Sequence, residues 1–364
     1  MSVPPRTMAA VQLVGHGGPD KLVFRDDVAV PSPGPGEVLI RVAAAGINNT
    51  DINTRIGWYA GSEAAGTDEA SGKGGVTGEA GDWTGGGLAF PRIQGADVCG
   101  RIVATGVGVT QARIGERVIV QSCLVSLRQG RFTPWLGSER DGAFADFVCA
   151  PAADTHAVES ELSDAELAAL PCAFGTAENL LARAGIGPGE TVVVTGASGN
   201  VGLAAVQLAR RRGARVIAIA AAEKHGALEQ AGAARCLPRD ADLVAALGSD
   251  SVDAAIDVVG GPRWPALLEV LRPGGRYAVS GAIAGPIVTL DLRKLYLKDL
   301  TLHGCTMQER AGFTSLLGYL RRGEIRPLVS AVYPLSRIGE AQAAFLSKAH
   351  LGKIILVPPG SAAG

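Results

Sequence analysis

Short apolar or alternating runs, separated by glycine and proline clusters, dominate the first 157 residues. Such runs are typical of β-strands joined by tight turns. The clearest strands are predicted at residues 38–42, 101–105, 117–120 and 143–149. The pattern therefore predicts a mostly β first domain over residues 1–160.

After Ser163 the apolar positions alternate between helical and strand periods. Ser163 and Glu166 have the spacing of a helix capping box, and this helix should end near Pro171. Further strands are predicted at residues 191–195, 215–219, 252–259, 276–280 and 300–303, and helices at 201–212 and 223–231. Repeated βαβ units imply a parallel sheet covered by helices on both faces. Residues 161–315 are therefore predicted to be a doubly wound α/β domain.

The last part of the chain contains few further elements. One amphipathic helix is predicted at residues 338–348 and one strand at residues 353–357. Because these are too few to form a domain, residues 316–364 are predicted to complete the first domain, which would then be discontinuous.

Residues 60–88 interrupt the first domain with glycines, small polar residues and a single aromatic residue, Trp83. Such a stretch cannot bury enough apolar area to offset the entropy lost on ordering. We expect a mobile insertion, which is either a tolerated surface excursion or a flap over a nearby active site.

Composition excludes several classes of protein. Fifty glycines and twenty prolines in 364 residues exclude a coiled coil, and 47% hydrophobic residues exclude global disorder. A net charge of -1 gives no attraction to nucleic acid, which we therefore do not expect as a partner. No apolar run is long enough to span a membrane, residues 1–13 lack a signal-peptide pattern, and the six cysteines are scattered. We expect a cytoplasmic protein with reduced thiols and no membrane partner.

A glycine-rich turn lies between the strand at 191–195 and the following helix. Gly196 permits the tight turn, Gly199 lets backbone N–H groups approach a pyrophosphate, and Gly202 lets the helix pack closely. The helix N-terminus favours the anion. The predicted cofactor-binding residues of this turn are Gly196, Ser198, Gly199, Asn200, Val201 and Gly202.

The end of the second strand indicates which dinucleotide binds. NAD sites usually have Asp or Glu there, whereas this strand continues into Ala220 and two further alanines. Small side chains leave room for a 2′-phosphate, and the ammonium of Lys224 could reach it. We therefore predict a preference for NADP(H), which Glu223 would oppose if its side chain pointed into the pocket.

Local motifs along most of the chain resemble the medium-chain dehydrogenase/reductase superfamily. They lie at residues 46–51, 95–100, 170–177, 257–260, 271–276 and 352–356, and only residues 60–88 fall outside the resemblance. It implies a GroES-like catalytic domain and a Rossmann cofactor domain. It also places Thr176 at the nicotinamide, Val259 and Gly281 along the cofactor, and Lys353 near the cofactor pocket. Lys353 is alternatively a solvated strand end.

The zinc-binding members of this superfamily have a Cys at the position of Asn48, a His at Ala96 and a Cys at Cys172. Of these three ligands only Cys172 is present here, and residues 118–144 contain only Cys123 in place of a four-cysteine structural zinc site. A catalytic zinc normally needs three protein ligands. The resemblance therefore predicts no metal at either position.

Residues 48–59 are similar to the zinc-independent branch, which contains quinone oxidoreductases and 2-enoyl thioester reductases. The resemblance implies that Tyr59 is the acid group and that Asn48 orients the nicotinamide ribose or the substrate. Tyr59 is alternatively an aromatic wall of the pocket, and Asn48 a satisfied turn amide. Asp51 is expected to be a buried ion-pair partner rather than a base.

The expected function is NADPH-dependent reduction of an α,β-unsaturated carbonyl compound, such as an enone, quinone or enoyl thioester. The alternatives are carbonyl or alcohol oxidoreduction, and a non-catalytic protein that binds NADPH. The strand at residues 300–303 lies at a predicted sheet edge, where exposed backbone groups can pair with a second copy. We therefore expect a homodimer formed through the Rossmann edge strand.

Overall fold

The computed structural model describes residues 4–60, 65–72 and 87–361, which form two compact units. The first unit comprises residues 4–60, 70–72, 87–172 and 313–361, and the second comprises residues 65–69 and 173–312.

The strands and helices have the following bounds. The strands are β1 (Thr7–Leu13), β2 (Leu22–Ala29), β3 (Glu37–Gly46), β4 (Arg92–Ile93), β5 (Cys99–Thr105), β6 (Arg117–Val120), β7 (Phe147–Pro151), β8 (Thr155–Ala157), β9 (Thr191–Val194), β10 (Arg215–Ile219), β11 (Arg235–Leu237), β12 (Val252–Asp257), β13 (Leu271–Val279), β14 (Thr301–Gly304), β15 (Val329–Pro334) and β16 (Lys353–Val357). The helices are α1 (Asn49–Ile56), α2 (Thr67–Gly72), α3 (Asp164–Ala168), α4 (Pro171–Arg183), α5 (Asn200–Arg211), α6 (His225–Ala231), α7 (Leu243–Leu247), α8 (Trp264–Val270), α9 (Leu292–Leu297), α10 (Arg310–Arg321) and α11 (Ile338–Leu346).

The first unit is mostly β, as predicted. A seven-stranded sheet runs in the order β15-β16-β3-β5-β6-β8, with β7 also paired to β3, and a three-stranded sheet has the order β2-β1-β4. Apolar side chains from these strands and from α11 form one core. The burial of this core stabilises the β framework that carries the residues around Asn48.

The C-terminal segment completes this sheet. Strand β16 pairs antiparallel with β3, with Ile355 opposite Gly46, and the N–H of Ile47 donates to the carbonyl of Ile354 at 2.9 Å. This pairing has a functional consequence, because it brings Lys353 to the end of β3, next to Asn48, the N-cap residue of α1.

The second unit is the predicted doubly wound domain. All of its strand pairs are parallel, in the order β11-β10-β9-β12-β13-β14. This is the 3-2-1-4-5-6 order of dinucleotide-binding Rossmann folds, whose ligands bind where the order reverses. Here the reversal lies between β9 and β12, so the loops that follow these two strands form the expected binding edge.

The structure refines several predicted boundaries. The Ser163–Glu166 capping box is present, α3 ends at Ala168 and α4 begins at Pro171. The strand predicted at residues 143–149 begins only at Phe147, because residues 143–145 bond irregularly to other segments. Strand β13 begins at Leu271, earlier than the predicted residue 276. The prediction was late because the proline and glycines after Leu271 are typical of a turn.

Part of the predicted mobile insertion forms a short helix. Residues 67–72 form α2, in which Thr67 and Ala70 are buried. Most of the insertion lies outside the described residues, so its predicted mobility stays a prediction. Among the described residues, no helix has both the length and the apolar character needed to cross a membrane.

Candidate active site and cofactor-binding site

The glycine-rich turn after β9 has the geometry that its sequence predicts. Gly196 has a φ of 55°, in the left-handed region that favours glycine. A Cβ added to Gly202 would lie 2.2 Å from the carbonyl oxygen of Gly196, so the start of α5 packs directly on the turn. Gly199 is the extended N-cap residue of α5 and, as a glycine, has no side chain with which to cap the first turn. The N-terminus of a helix after such a turn favours an anion.

A buried carboxylate links the loops around this turn. It belongs to Asp257, at the end of β12, which accepts hydrogen bonds from the Thr195 hydroxyl and from the Tyr277 hydroxyl, the latter at 2.6 Å. The backbone N–H of Val259 donates to the same carboxylate at 2.8 Å. The ends of β9, β12 and β13 are thus held together by one side chain, a role that the sequence motif did not reveal.

The predicted cofactor residues Gly196, Val259 and Gly281 converge at this edge. A Cβ on Gly196 would lie 3.1 Å from a Val259 methyl group, and one on Gly281 would lie 2.9 Å from the carbonyl oxygen of Val258. Thr176 lies on α4, where its hydroxyl accepts a long hydrogen bond of 3.4 Å from the Gln308 side chain. Ser198 is buried within the turn itself.

A buried lysine lies just after β10, where the sequence predicts a 2′-phosphate site. Ala220 is buried, Lys224 is also buried, and Glu223 is exposed. Burial lowers the pKa of Lys224, and the nearby Arg239 guanidinium lowers it further. An anion bound beside these two cations would relieve their mutual repulsion. Sequence reasoning missed Arg239, which follows β11.

In the first unit, three buried polar side chains form a cluster at the start of α1. The Lys353 ammonium lies 2.5 Å from Asp97 Oδ2 and donates to Asn48 Oδ1 at 2.5 Å. The Asn48 amide nitrogen donates to Asp97 Oδ2 at 2.8 Å, and the backbone N–H of Cys172 donates to Asp97 Oδ1 at 2.6 Å. Lys353 is therefore not a solvated strand end, since only 2% of it is exposed.

Asn48 has a structural role in this cluster, because protein groups engage both ends of its side-chain amide. Its predicted role toward the nicotinamide ribose or the substrate stays a prediction. Asp51 is buried as expected, but the hydrogen bonds recorded to its carboxylate come from the backbone N–H groups of Asn48, at 2.7 Å, and Gly95 rather than from a cation. Burial raises the pKa of Asp51 to about 7, and the Asp97 carboxylate contributes to the rise.

Tyr59 follows α1 and its hydroxyl remains close to that helix. The hydroxyl lies 3.4 Å from the Thr50 hydroxyl and also interacts with the Asn53 side chain. Burial raises the pKa of Tyr59 to about 12, against the smaller opposing effect of these two hydrogen bonds. The phenol therefore keeps its proton at neutral pH, as a proton donor must.

Comparison with known proteins assigns both units to a family. Residues 34–160 match the alcohol dehydrogenase GroES-like domain, and residues 200–321 match the zinc-binding dehydrogenase family. A candidate alcohol dehydrogenase from Sinorhizobium meliloti 1021 has a solved structure with 45% identity, a TM-score of 0.89 and coverage of 98% of each chain. The chain belongs to the medium-chain dehydrogenase/reductase superfamily.

Two curated members of this superfamily are more distant relatives of the chain. The acryloyl-coenzyme A reductase of Metallosphaera sedula is 29% identical over 91% of this chain and 95% of its own. The quinone oxidoreductase of Rattus norvegicus is 27% identical over 98% of this chain and 100% of its own. The predicted GroES-like and Rossmann folds are thereby confirmed, and the chain is an oxidoreductase of a family that uses nicotinamide cofactors.

Whether this chain could hold a catalytic zinc can be judged from the residues at the positions that bear ligands in the zinc-binding members of the superfamily. Ala96, at the His position, packs with Cys123, Trp135 and Cys172 in a small apolar cluster. Asn48, at a Cys position, offers an amide that is already bonded to a lysine ammonium. In the described parts of the chain, no three His, Cys, Asp or Glu side chains are grouped to hold a metal ion. This donor set does not fit a catalytic zinc.

Proposed function

We propose that the protein is a zinc-independent, NADPH-dependent reductase of α,β-unsaturated carbonyl compounds. The observation that carries the proposal is the cluster of Asn48, Asp97 and Lys353, in which an ammonium ion is bonded to Asn48, one of the positions that bear a ligand in zinc-binding relatives. A buried ammonium and a buried neutral phenol can stabilise and protonate an enolate without a metal.

The proposed chemistry divides between the cofactor and the chain. When bound, the reduced nicotinamide supplies a hydride, which adds to the β-carbon while the carbon–carbon π electrons move toward the carbonyl oxygen. Tyr59 then donates its hydroxyl proton to the resulting enolate, and solvent returns a proton to the phenolate. Because the pKa of Tyr59 is raised to about 12, the phenol is fully protonated before each cycle.

The preference for NADPH is supported at the end of β10. Ala220 provides no carboxylate to hold a ribose 2′-hydroxyl, while Lys224 and Arg239 supply positive charge. Steady-state kinetics with both cofactors tests this preference. We expect a lower KM for NADPH, and a lower KM for NADH would contradict the proposal.

The substrate class is tested by following NADPH oxidation against a matched panel of enones, quinones, enoyl thioesters and saturated aldehydes. We expect turnover with the unsaturated compounds and little with the aldehydes. The relationship to a candidate alcohol dehydrogenase favours the second possibility, carbonyl or alcohol oxidoreduction, which turnover of aldehydes alone would support. Tight NADPH binding without turnover of any panel member would instead indicate a non-catalytic protein.

We propose that a second copy of the chain pairs along β14. This strand is the last in the order of the parallel sheet, and the described residues supply no strand beyond it. Exposed large apolar side chains lie on and before β14: Ile287, Leu292, Tyr296, Leu297 and Leu302. Light scattering should give a dimer that Leu302→Lys weakens, and a wild-type monomer would contradict the proposal.

We further propose a cytoplasmic location. All six cysteines are free thiols in this fold, as expected of a protein from a reducing compartment. Fractionation of cells that express the protein should recover it with cytoplasmic markers, and recovery with membranes or in the secreted fraction would contradict this.

A further inference from the structure

Residues 65–69 of the insertion belong to the second unit, where Gly66 lies against a backbone loop. Gly66 is buried, and a Cβ added to it would lie 2.1 Å from the carbonyl oxygen of Ile283 and 2.9 Å from the backbone nitrogen of Gly285. Contacts this short are with backbone atoms, which cannot rotate away as a side chain can. Gly66 does not have a positive φ, so close approach rather than backbone conformation requires glycine here.

The loop that Gly66 touches belongs to the cofactor-binding edge. The N–H of Ala284 donates to the carbonyl of Val259 at 2.8 Å, and the N–H of Gly261 donates to the carbonyl of Gly285 at 3.0 Å. The loop after β13 is therefore bonded to the loop after β12. Val259 in turn lies against Gly196, the first residue of the glycine-rich turn.

These contacts form a continuous series from the insertion to the proposed phosphate-binding turn. Gly66 packs on residues 283–285, this loop is hydrogen-bonded to Val259 and Gly261, and Val259 lies against Gly196. Each step is a backbone hydrogen bond or a close van der Waals contact. A displacement of residues 65–69 would therefore be transmitted to the loops that hold the cofactor.

We propose that residues 65–69 are a positioning element of the cofactor site. Their packing against the loop at residues 281–285, through Gly66, and the binding of the cofactor then stabilise each other. Gly66 is a positioning residue because it acts through the loop at 281–285. The inference rests on the proposed binding of a nicotinamide cofactor at the glycine-rich turn. By linkage, docking must favour cofactor binding by the same factor by which the cofactor favours docking.

Two single-methyl substitutions test this coupling. Gly66→Ala adds a methyl group where backbone atoms leave no room, whereas Gly72→Ala adds one at the C-terminal end of α2, where no atom of the described residues lies within 4 Å. We expect Gly66→Ala to raise the Kd for NADPH about 10-fold, with kcat at saturating cofactor, substrate KM and Tm close to wild type. Gly72→Ala should leave all four quantities unchanged.

The outcomes separate this inference from the proposed function. If wild-type protein binds neither NADPH nor NADH, the proposed cofactor site is wrong. If wild-type protein binds NADPH and Gly66→Ala binds it equally well, the positioning role is wrong. A loss of Tm in Gly66→Ala with an unchanged Kd would also overturn it, because packing alone explains that result.

Hydrogen exchange in the wild-type protein provides a second test that needs no variant. NADPH should slow amide exchange in residues 65–72 as well as in residues 258–261 and 281–285. Protection of the two loops without any change at residues 65–72 would overturn the inference, even if Gly66→Ala failed to fold.

Discussion

Replacing Lys353 by methionine tests the buried cluster at the start of α1. The substitution keeps the length of the side chain and removes its charge. Lys353 and Asp97 have side-chain exposures of only 2% and 0%, so the carboxylate would lose its counter-ion in a site that water does not reach. Removing one partner of such a pair typically costs about 3–5 kcal/mol.

The loss of stability should be large because the Lys353 ammonium also affects a second buried acid, Asp51. The Lys353 charge lowers the pKa of Asp51, while burial and Asp97 raise it. Without Lys353 the pKa of Asp51 rises further, so the loss of stability should be greater at pH 8 than at pH 5. In a unit of this size each kcal/mol shifts Tm by about 2–4 °C, which gives a decrease on the order of 10 °C.

Calorimetry on a set of matched variants measures this effect. Lys294→Met removes the cation of the more exposed Lys294–Glu269 pair and should cost less than about 1 kcal/mol. Lys353→Met combined with Asp97→Asn should recover most of the stability lost in the single variant, because no unpaired charge is then buried. The reasoning is refuted if Lys353→Met costs no more than Lys294→Met.

Three further predictions concern acid groups and cofactor choice. The pKa of Asp51 is about 7 in the folded protein against an ordinary 3.8, so the stability it contributes is complete below pH 3.8 and is lost as pH rises to 7. Asp51→Asn should therefore raise stability at pH 8, by at most about 4 kcal/mol, and leave it unchanged near pH 3.8, as denaturation at both pH values would show. Tyr59→Phe should lower kcat about 100-fold with little change in KM, and wild-type turnover in that variant would exclude Tyr59 as the acid. Ala220→Asp should shift the ratio of kcat/KM for NADPH and NADH about tenfold toward NADH, and an unchanged ratio would place the 2′-phosphate elsewhere.

Much of the second unit could be predicted from the sequence because its signals are local. The turn needs a positive φ at Gly196 and close packing at Gly202, and glycine at these positions in the sequence predicts both features. Strand β2 was harder to predict, because its mostly exposed residues lack an apolar alternation. The buried strands of the parallel sheet, by contrast, read as continuous apolar runs.

The candidate site was less accessible to sequence reasoning because its contacts are long-range. Lys353 and Asn48 are 305 positions apart and meet only through the pairing of β16 with β3. The resemblance placed Lys353 near the cofactor, but its bonds to Asn48 and Asp97 depend on sheet order. The packing of Gly66 against residues 283–285 could not be predicted either, because nothing in the sequence distinguishes this glycine from the others in the insertion.

The central claim is that hydride transfer to an unsaturated carbonyl proceeds here without a catalytic metal. The most direct measurement combines metal analysis of the purified protein with stopped-flow NADPH oxidation by an enone before and after dialysis against a chelator. We expect substoichiometric zinc and an unchanged single-turnover rate. Stoichiometric zinc whose removal abolishes the reaction, and whose return restores it, would show that hydride transfer here requires the metal.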